Sequence, residues 1–110
     1  MTAKHNLHLT EENKEKEVKM VIYRLLSNLF GIAIEDRHDL KEDLHADELD
    51  FVEIVLSLET LFNIHISDEE LKELATFNKV VDVVEYATQL VLSRIQIVST
   101  LEKSHQGKQS

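Results

Sequence analysis

The densest group of side chains that could do chemistry lies in the stretch DLHADELDFVEIVL, residues 43–56. Its carboxylates include those of Asp47, Glu48, Asp50 and Glu53. Paired carboxylates can act as a general acid and a general base. However, Asp47 and Asp50 stand three residues apart just before an apolar run, which is typical of a capping box at a helix start. We therefore predict that this pair caps a helix and does not catalyse a reaction.

Other reactive side chains are few or scattered. The histidines are His5, His8, His38, His45, His65 and His105. None of them forms the i, i+4 pair that places two metal ligands on one helix face. There is no cysteine, hence no thiolate nucleophile and no thiolate metal site, and no Ser/His/Asp arrangement can be assigned from spacing. We predict a protein that is not an enzyme and holds no metal.

Length and charge restrict the partners of the chain. Its 110 residues, 43% of them apolar, suffice for one domain with a modest core. A formal net charge of −9 argues against binding the phosphates of nucleic acid and suits docking onto basic protein surfaces. The sequence has neither the apolar core of a signal peptide nor an uninterrupted membrane span. We expect a cytoplasmic protein.

The elements that must position these residues are predicted to be helices. The chain has two glycines, no proline and no clear alternating strand pattern, which indicates an all-α fold. Hydrophobic spacing and capping residues predict four helices, over about Glu12–Leu29, Asp47–Phe62, Ser67–Leu74 and Asn78–Lys103. We expect a long packed loop after Gly31, flexible segments at 1–13 and 104–110, and a single domain at 14–103.

Two stretches of sequence carry a resemblance to a known family. EDLHADELDFVEIVLSLETLFNIHISDEE and, after it, ATFNKVVDVVEY resemble the acyl carrier proteins of fatty-acid and polyketide synthesis, over Val18 to about Tyr86. The resemblance implies an acidic four-helix bundle with a long first loop and a short third helix, here with an extended C-terminal helix. In that family a serine within Asp-Ser-Leu carries a 4'-phosphopantetheine arm, whose thiol holds the acyl group. Here the three residues are Asp47, Glu48 and Leu49.

Glu48 therefore decides what the resemblance means. A phosphodiester arm needs a hydroxyl oxygen, so we expect no cofactor on this carboxylate. Ser57 and Ser67 are other hydroxyls, but neither has the Asp-Ser-Leu context, and Ser57 would lie roughly 13 Å further along the helix. Glu48 is favoured in a first helical turn by the macrodipole, whatever the protein does. A second interpretation is that Glu48 places a fixed negative charge where the family has a phosphate. A third is that the native residue is a serine and that the chain is an engineered variant.

The resemblance also implies a surface for partner enzymes along the second helix. The matching acids are Asp47, Asp50, Glu53 and Glu59, and the matching apolar residues are Leu49, Val52 and Leu56. Basic surfaces of acyl-metabolism enzymes are the expected partners, whereas the neighbouring Ile54, Val55, Leu58 and Phe62 are expected in the core. The chain departs from the family at His45, where the family usually has a glycine. It also departs at Thr60 and Leu61, which stand in place of acidic residues.

The last helix continues beyond the resemblance. Its apolar residues recur past Tyr86, at Ala87, Leu90, Val91, Ile95, Val98 and Leu101. A helix over Asn78–Lys103 would be about 40 Å long, which exceeds what a compact domain of this size covers. The stripe can extend the bundle's own core, fold back onto the first helix, meet a partner protein or form a homodimer through Val91, Ile95, Val98 and Leu101.

Three hypotheses for function follow. The first is an acyl-carrier-like module of acyl metabolism that has no arm and works by docking to proteins. The second is a working acyl carrier, with a native serine at position 48 or another modified hydroxyl. The third is a dimeric helical adaptor that uses its C-terminal stripe.

Overall fold

The computed structural model describes residues 11–109, with side chains described for residues 13–95. Along this part of the chain four helices follow one another: α1 Glu11–Phe30, α2 Glu48–Phe62, α3 Asp68–Leu74 and α4 Val80–Gln109. The predicted all-α bundle with a long first loop, a short third helix and an extended last helix is confirmed. The bounds of α1, α2 and α3 agree with the predicted ones to within one residue.

The predicted end of the last helix was wrong. We predicted an end near Lys103, but α4 continues to Gln109. From Val80 to Gln106 the sequence has neither glycine nor proline, so no backbone signal ends the helix earlier. The predicted start of a flexible tail at residue 104 therefore does not coincide with a helix end. The predicted flexible segment 1–13 lies largely outside the described residues and stays a prediction.

Helix α1 buries one side against the rest of the bundle. Val18, Ile22, Leu25 and Leu26 recur at steps of three and four residues, which places them on one face, and all are buried. The helix ends where Gly31 takes a φ of +75° and donates its N–H to the carbonyl of Ser27 at 2.8 Å. Glycine adopts this left-handed backbone without a steric cost, so it ends α1 as predicted.

The core draws on all four helices and on the loop after α1. Its buried apolar side chains include Ile22, Leu26, Leu40, Leu44, Phe51, Ile54, Val55, Leu58, Ile66, Leu74, Val80, Val83, Val84, Ala87 and Val91. Ile54, Val55 and Leu58 are buried as predicted, and Phe62 packs half-buried against the core. Because α2 uses these residues inward, its remaining side chains are left for the surface.

The loop from residue 31 to residue 47 is fixed to the segment before α4. The N–H of Leu40 donates to the carbonyl of Asn78 at 2.6 Å, and the N–H of Val80 donates to the carbonyl of His38 at 3.0 Å. Leu40 and Leu44 are buried beneath these bonds. Backbone N–H groups of Glu42 and Lys41 donate to Asp39, which lowers the pKa of that carboxyl. The loop thereby delivers the chain to the start of α2 in a defined position.

His45 has a left-handed backbone just ahead of α2, with a φ of +56°. A residue with a side chain adopts this conformation at a cost of about 1 kcal/mol relative to glycine. The turn thus uses a backbone conformation that glycine would adopt without this cost, and His45 adopts it nevertheless.

Helices α1 and α4 are also joined at the surface. Lys19 on α1 forms ion pairs with Glu85 on α4 at 3.2 Å and with Glu15 at 3.5 Å. The hydrogen bond with Glu85 raises the pKa of Lys19. Within residues 11–109 we find no helix that has the length and apolar character needed to cross a membrane.

Candidate functional site

The start of α2 is closed by reciprocal hydrogen bonds between two aspartates. The N–H of Asp50 donates to Oδ1 of Asp47 at 3.1 Å, and the N–H of Asp47 donates to Oδ2 of Asp50 at 2.9 Å. This is the predicted capping box, which satisfies N–H groups that the first helical turn leaves without partners. Both carboxylates are thereby held in place at the surface of the molecule.

Glu48 is the first residue of α2, and its side chain is exposed. Among the described residues it has no ion pair or hydrogen-bonding partner for its carboxylate. Its negative charge lies at the positive end of the helix dipole, an arrangement that is worth about 0.3 to 1 kcal/mol at a surface. The structure thus presents an unobstructed anion at the first turn of α2.

An apolar row follows Glu48 along the exposed side of α2. Leu49 is 72% exposed, Val52 is 37% exposed and Leu56 is 54% exposed. Steps of three and four residues place these side chains on one side of the helix, and the exposed Glu53 lies next to Val52. We call the surface formed by Asp47, Glu48, Leu49, Asp50, Val52, Glu53 and Leu56 the α2 face.

Glu59 has a different environment from the other acids named for partner docking. Its Oε2 accepts the N–H of Ile66 at 2.9 Å and lies 3.4 Å from Nδ1 of His65, and its side chain is 24% exposed. Glu59 therefore holds the connection between α2 and α3, and we leave it out of the α2 face.

The two alternative hydroxyls lie in different settings. Oγ of Ser67 accepts the N–H of Glu70 at 3.1 Å, while the N–H of Ser67 donates to Glu70 at 3.0 Å, a second capping box. Ser57 is half-buried and lines a groove between α1 and α2. Neither hydroxyl stands free at the first turn of α2, where Glu48 offers only a carboxylate. The residues at this turn therefore do not fit a phosphopantetheine arm.

Arg94 on α4 binds the carboxylate of Glu70, the acidic residue of the second capping box. Its Nη2 lies 2.7 Å and 2.6 Å from the two carboxylate oxygens of Glu70. This contact is the main cause that lowers the pKa of Glu70. Sequence reasoning missed the pair, because nothing local connects residues that are 24 positions apart.

An open groove of roughly 750 Å³ runs between α1 and α2. We call it the α1–α2 groove; its lining residues are Val21, Arg24, Leu25, Asn28, Leu29, Leu56, Ser57, Thr60 and Leu61. The exposed Leu56 belongs both to this groove and to the α2 face, so the two surfaces are continuous. Sequence reasoning also missed the groove, although it had singled out Thr60 and Leu61, which line it.

The predicted self-association residues fall into two groups. Val91 is fully buried in the core of its own bundle, and Ile95 packs half-buried against that core. Val91 is therefore not available to a second copy of the chain. Val98 and Leu101 lie outside the residues whose side chains are described.

No group of three or more histidine, aspartate or glutamate side chains lies close enough to hold a metal ion in the described part of the chain. Burial raises the pKa of the Tyr86 hydroxyl. Tyr86 packs on Phe77 with the ring centres 5.5 Å apart, which points to a structural role.

Comparisons with known proteins agree with this architecture. The family described as "Phosphopantetheine attachment site" matches residues 21–84. The acyl carrier protein of Buchnera aphidicola subsp. Baizongia pistaciae is 38% identical over 74 residues, covering 67% of this chain and 94% of the relative. The acyl carrier protein of Wolinella succinogenes is 41% identical over 69 residues, covering 63% of this chain and 90% of the relative.

The fold has a solved counterpart as well. The crystal structure of an acyl carrier protein from Thermotoga maritima superimposes with a TM-score of 0.58 at 20% identity, covering 81% of this chain and 99% of that one. This likeness concerns the fold, whereas the sequence matches reach from α1 into α4. The chain therefore belongs to the acyl carrier protein family.

Proposed function

We propose that this protein is an arm-less docking module of acyl metabolism, which binds enzymes that handle acyl carrier proteins. The observation that carries the proposal is Glu48, an exposed and unpaired carboxylate on the first turn of α2. A phosphodiester to the arm forms through a hydroxyl oxygen, and a carboxylate has none to offer. The acyl group would then not be tethered at residue 48.

The charges of the α2 face support a basic partner surface. Glu48 and Glu53 are exposed, and the capping box keeps the carboxylates of Asp47 and Asp50 in fixed positions near them. Such an array attracts a basic surface and orients it during association. Because the side chain of Glu48 supplies this charge by itself, docking would not depend on modification by another enzyme.

The apolar row of the α2 face supplies the second part of the contact. Leu49 and Leu56 are more than half exposed, and burial of an apolar side chain gains about 25 cal/mol for each Å² removed from water. Apolar residues surrounded by charges are typical of specific protein interfaces. A partner with a shallow apolar surface bordered by lysine or arginine fits this arrangement.

The relatives are carrier proteins by name, and the proposed role is likewise not enzymatic. We place the protein in the cytoplasm, which suits a chain without cysteine. A working acyl carrier is the rival hypothesis, with a native serine at residue 48 or an arm on Ser57 or Ser67. A homodimer through the C-terminal helix is compatible with either function.

A phosphopantetheinyl transferase is a suitable probe, because it must recognise the start of α2 in ordinary carriers. We expect the native protein to keep its mass after incubation with coenzyme A and the transferase. We also expect it to slow the modification of an ordinary acyl carrier protein by competing for the enzyme. The charge reversals Glu48→Lys and Glu53→Lys should weaken this inhibition.

Glu69→Lys is the matched control, since Glu69 is an exposed acid on α3 outside the α2 face. It should leave the inhibition unchanged. An arm on the native protein, seen in its intact mass, would establish the carrier hypothesis instead. Equal loss of inhibition in all three variants would show that only total charge matters and would refute the proposed face.

A further inference from the structure

The α1–α2 groove is an apolar surface with an unusual charge at its edge. Leu56 and Leu61 in its wall are 54% and 57% exposed, so much apolar surface faces solvent. Arg24 lines the same groove, is exposed and makes no ion pair with any described residue. A cation bordering leucines in a strongly acidic protein favours an apolar occupant that also carries an acid.

The position of the groove indicates where this occupant comes from. Val21 lines the groove and also borders a smaller recess, together with Phe62 and Ile95. Leu61 in the groove precedes Phe62, so the groove opens at the end of the bundle where Ile95 lies. From this end α4 continues to Gln109. The open end of the groove and the continuation of α4 therefore lie side by side.

Residues 96–109, which we call the tail, have a composition that matches the groove. Ile97, Val98 and Leu101 are apolar, and Glu102 follows Val98 by four residues, so the sequence places it on the same side of a helix. Fourteen helical residues span about 21 Å, which is enough to run along the groove. The tail also carries Lys103 and Lys108, in a chain whose net charge is −9.

We propose that the protein forms a dimer in which the tail of each copy lies in the α1–α2 groove of the other. Two bundles related by a two-fold axis, with their Ile95 ends facing, bring each tail to the opposite groove at once, as a closed symmetric dimer requires. Leu101 and Val98 cover the groove leucines, and Glu102 meets Arg24. The lysines of the tail lie toward the acidic surface of α2.

The tail of the same copy does not serve this purpose. Helix α4 is continuous from Val80 to Gln109 and packs along α1 up to Ile95. To enter its own groove, the tail would have to turn back, and no proline or glycine lies near residue 95 to break the helix. A second copy needs no such break.

The dimer goes beyond the proposed docking function and has a consequence for it. Leu56 belongs to both surfaces, so a tail in the groove covers part of the α2 face. Dimer formation and enzyme docking then compete, and dilution favours docking. A failure of the dimer would leave the docking proposal intact, because docking is measured with a transferase and the dimer by the mass of the free protein.

The test measures the mass of the full chain by light scattering over a range of micromolar concentrations. We expect the native protein to reach twice the mass of one chain. Leu61→Glu and Thr60→Arg in the groove, and Leu101→Glu in the tail, should each return the mass of a monomer. Met20→Glu is the control, because Met20 is 59% exposed outside the groove, and it should remain dimeric. Circular dichroism checks that each variant is folded.

Mixing the groove variant Leu61→Glu with the tail variant Leu101→Glu separates this dimer from other kinds. The mixture retains one intact tail and one intact groove, so native mass spectrometry should detect a heterodimer. A monomeric native protein at all concentrations would overturn the proposal. So would a Leu61→Glu protein that still dimerises while Leu101→Glu does not, because that result indicates contact between two tails.

Discussion

Helices α2 and α3 begin with the same hydrogen-bonding motif in different surroundings. In each helix the side chain of the N-cap residue accepts the backbone N–H of the residue three positions later, and the carboxylate of that later residue accepts the backbone N–H of the N-cap residue. The pair is Asp47 and Asp50 in α2, and Ser67 and Glu70 in α3. At α3 the acid is also bound by Arg94 of α4. At α2 the residue after the cap, Glu48, stands exposed. One motif thus fastens a short helix to the bundle, and the other presents charge to solvent.

The difference shows that a local motif does not define its own role. Helix α3 has seven residues, too few to be stable by itself, so a contact with α4 contributes to keeping it in place. Helix α2 has fifteen residues and is held by Phe51, Ile54 and Leu58 in the core. Its first turn is therefore free to be a recognition surface.

The largest expected effect comes from restoring a hydroxyl at the exposed start. We expect Glu48→Ser to accept a phosphopantetheine arm from a transferase, changing from no modification to full modification. The arm should map to residue 48 and not to Ser67, whose Oγ is occupied in the cap beside Arg94. Peptide mass mapping of the modified protein checks this. Modification of Ser67 in the same experiment would contradict the prediction that the start of α2, and not the start of α3, is accessible to the transferase.

The next largest effect is on stability and comes from the start of α3, where Arg94 binds Glu70. Arg94→Met keeps the length of the side chain but removes its charged hydrogen bonds to Glu70, and should lower the free energy of unfolding by about 1 to 2 kcal/mol. Urea unfolding measures the change. Arg37→Met is the matched control, because Arg37 pairs with Glu35 at an exposed site, and it should change stability by less than about 0.5 kcal/mol. Equal effects would mean that Arg94 does not fasten α3.

A smaller effect concerns the coupling between cap and ion pair. Ser67→Ala and Asp47→Ala should each cost about 1 kcal/mol through loss of a cap. Ser67→Ala combined with Arg94→Met should depart from additivity by about 0.5 kcal/mol or more, because both act on Glu70. The combination of Asp47→Ala with Arg94→Met should be additive. Two additive pairs would show that Arg94 acts independently of the second cap.

The smallest effect is a pH dependence that should appear at α3. Arg94 holds the pKa of Glu70 below its ordinary value. The folded state therefore gains stability from this carboxylate at pH values above its unfolded pKa, about 4.3, and loses it as the pH falls through the folded pKa. The stability difference between the native protein and Glu70→Gln should shrink on acidification from neutral pH. A difference that stays constant down to low pH would contradict the assignment.

Sequence reasoning succeeded where the signals are local. The stripe from Val18 to Leu29, the glycine at residue 31 and the residues of both capping boxes each act within one or two helical turns. They predicted the existence of all four helices and most of their ends. The end of α4 was missed because the helix has no stop signal near Lys103 and extends past it.

The candidate site was predictable only in part. Glu48, Leu49 and Glu53 are exposed, as a docking surface requires, although their function stays a proposal. Glu59 was predicted for the same surface and stays a prediction there, while its carboxylate also accepts the N–H of Ile66. Exposure and hydrogen bonding depend on which neighbours the fold supplies, and a motif does not contain them.

The sequence by itself determined the helices, their caps, the acidic character and the carboxylate at residue 48, because these depend on residue type and on neighbours a few positions away. Only the tertiary structure decided that Arg94 reaches Glu70, that Val91 is enclosed in the core and that α1 and α2 leave a groove between them. These features join residues far apart in the chain, and their positions are fixed only when the helices pack against one another.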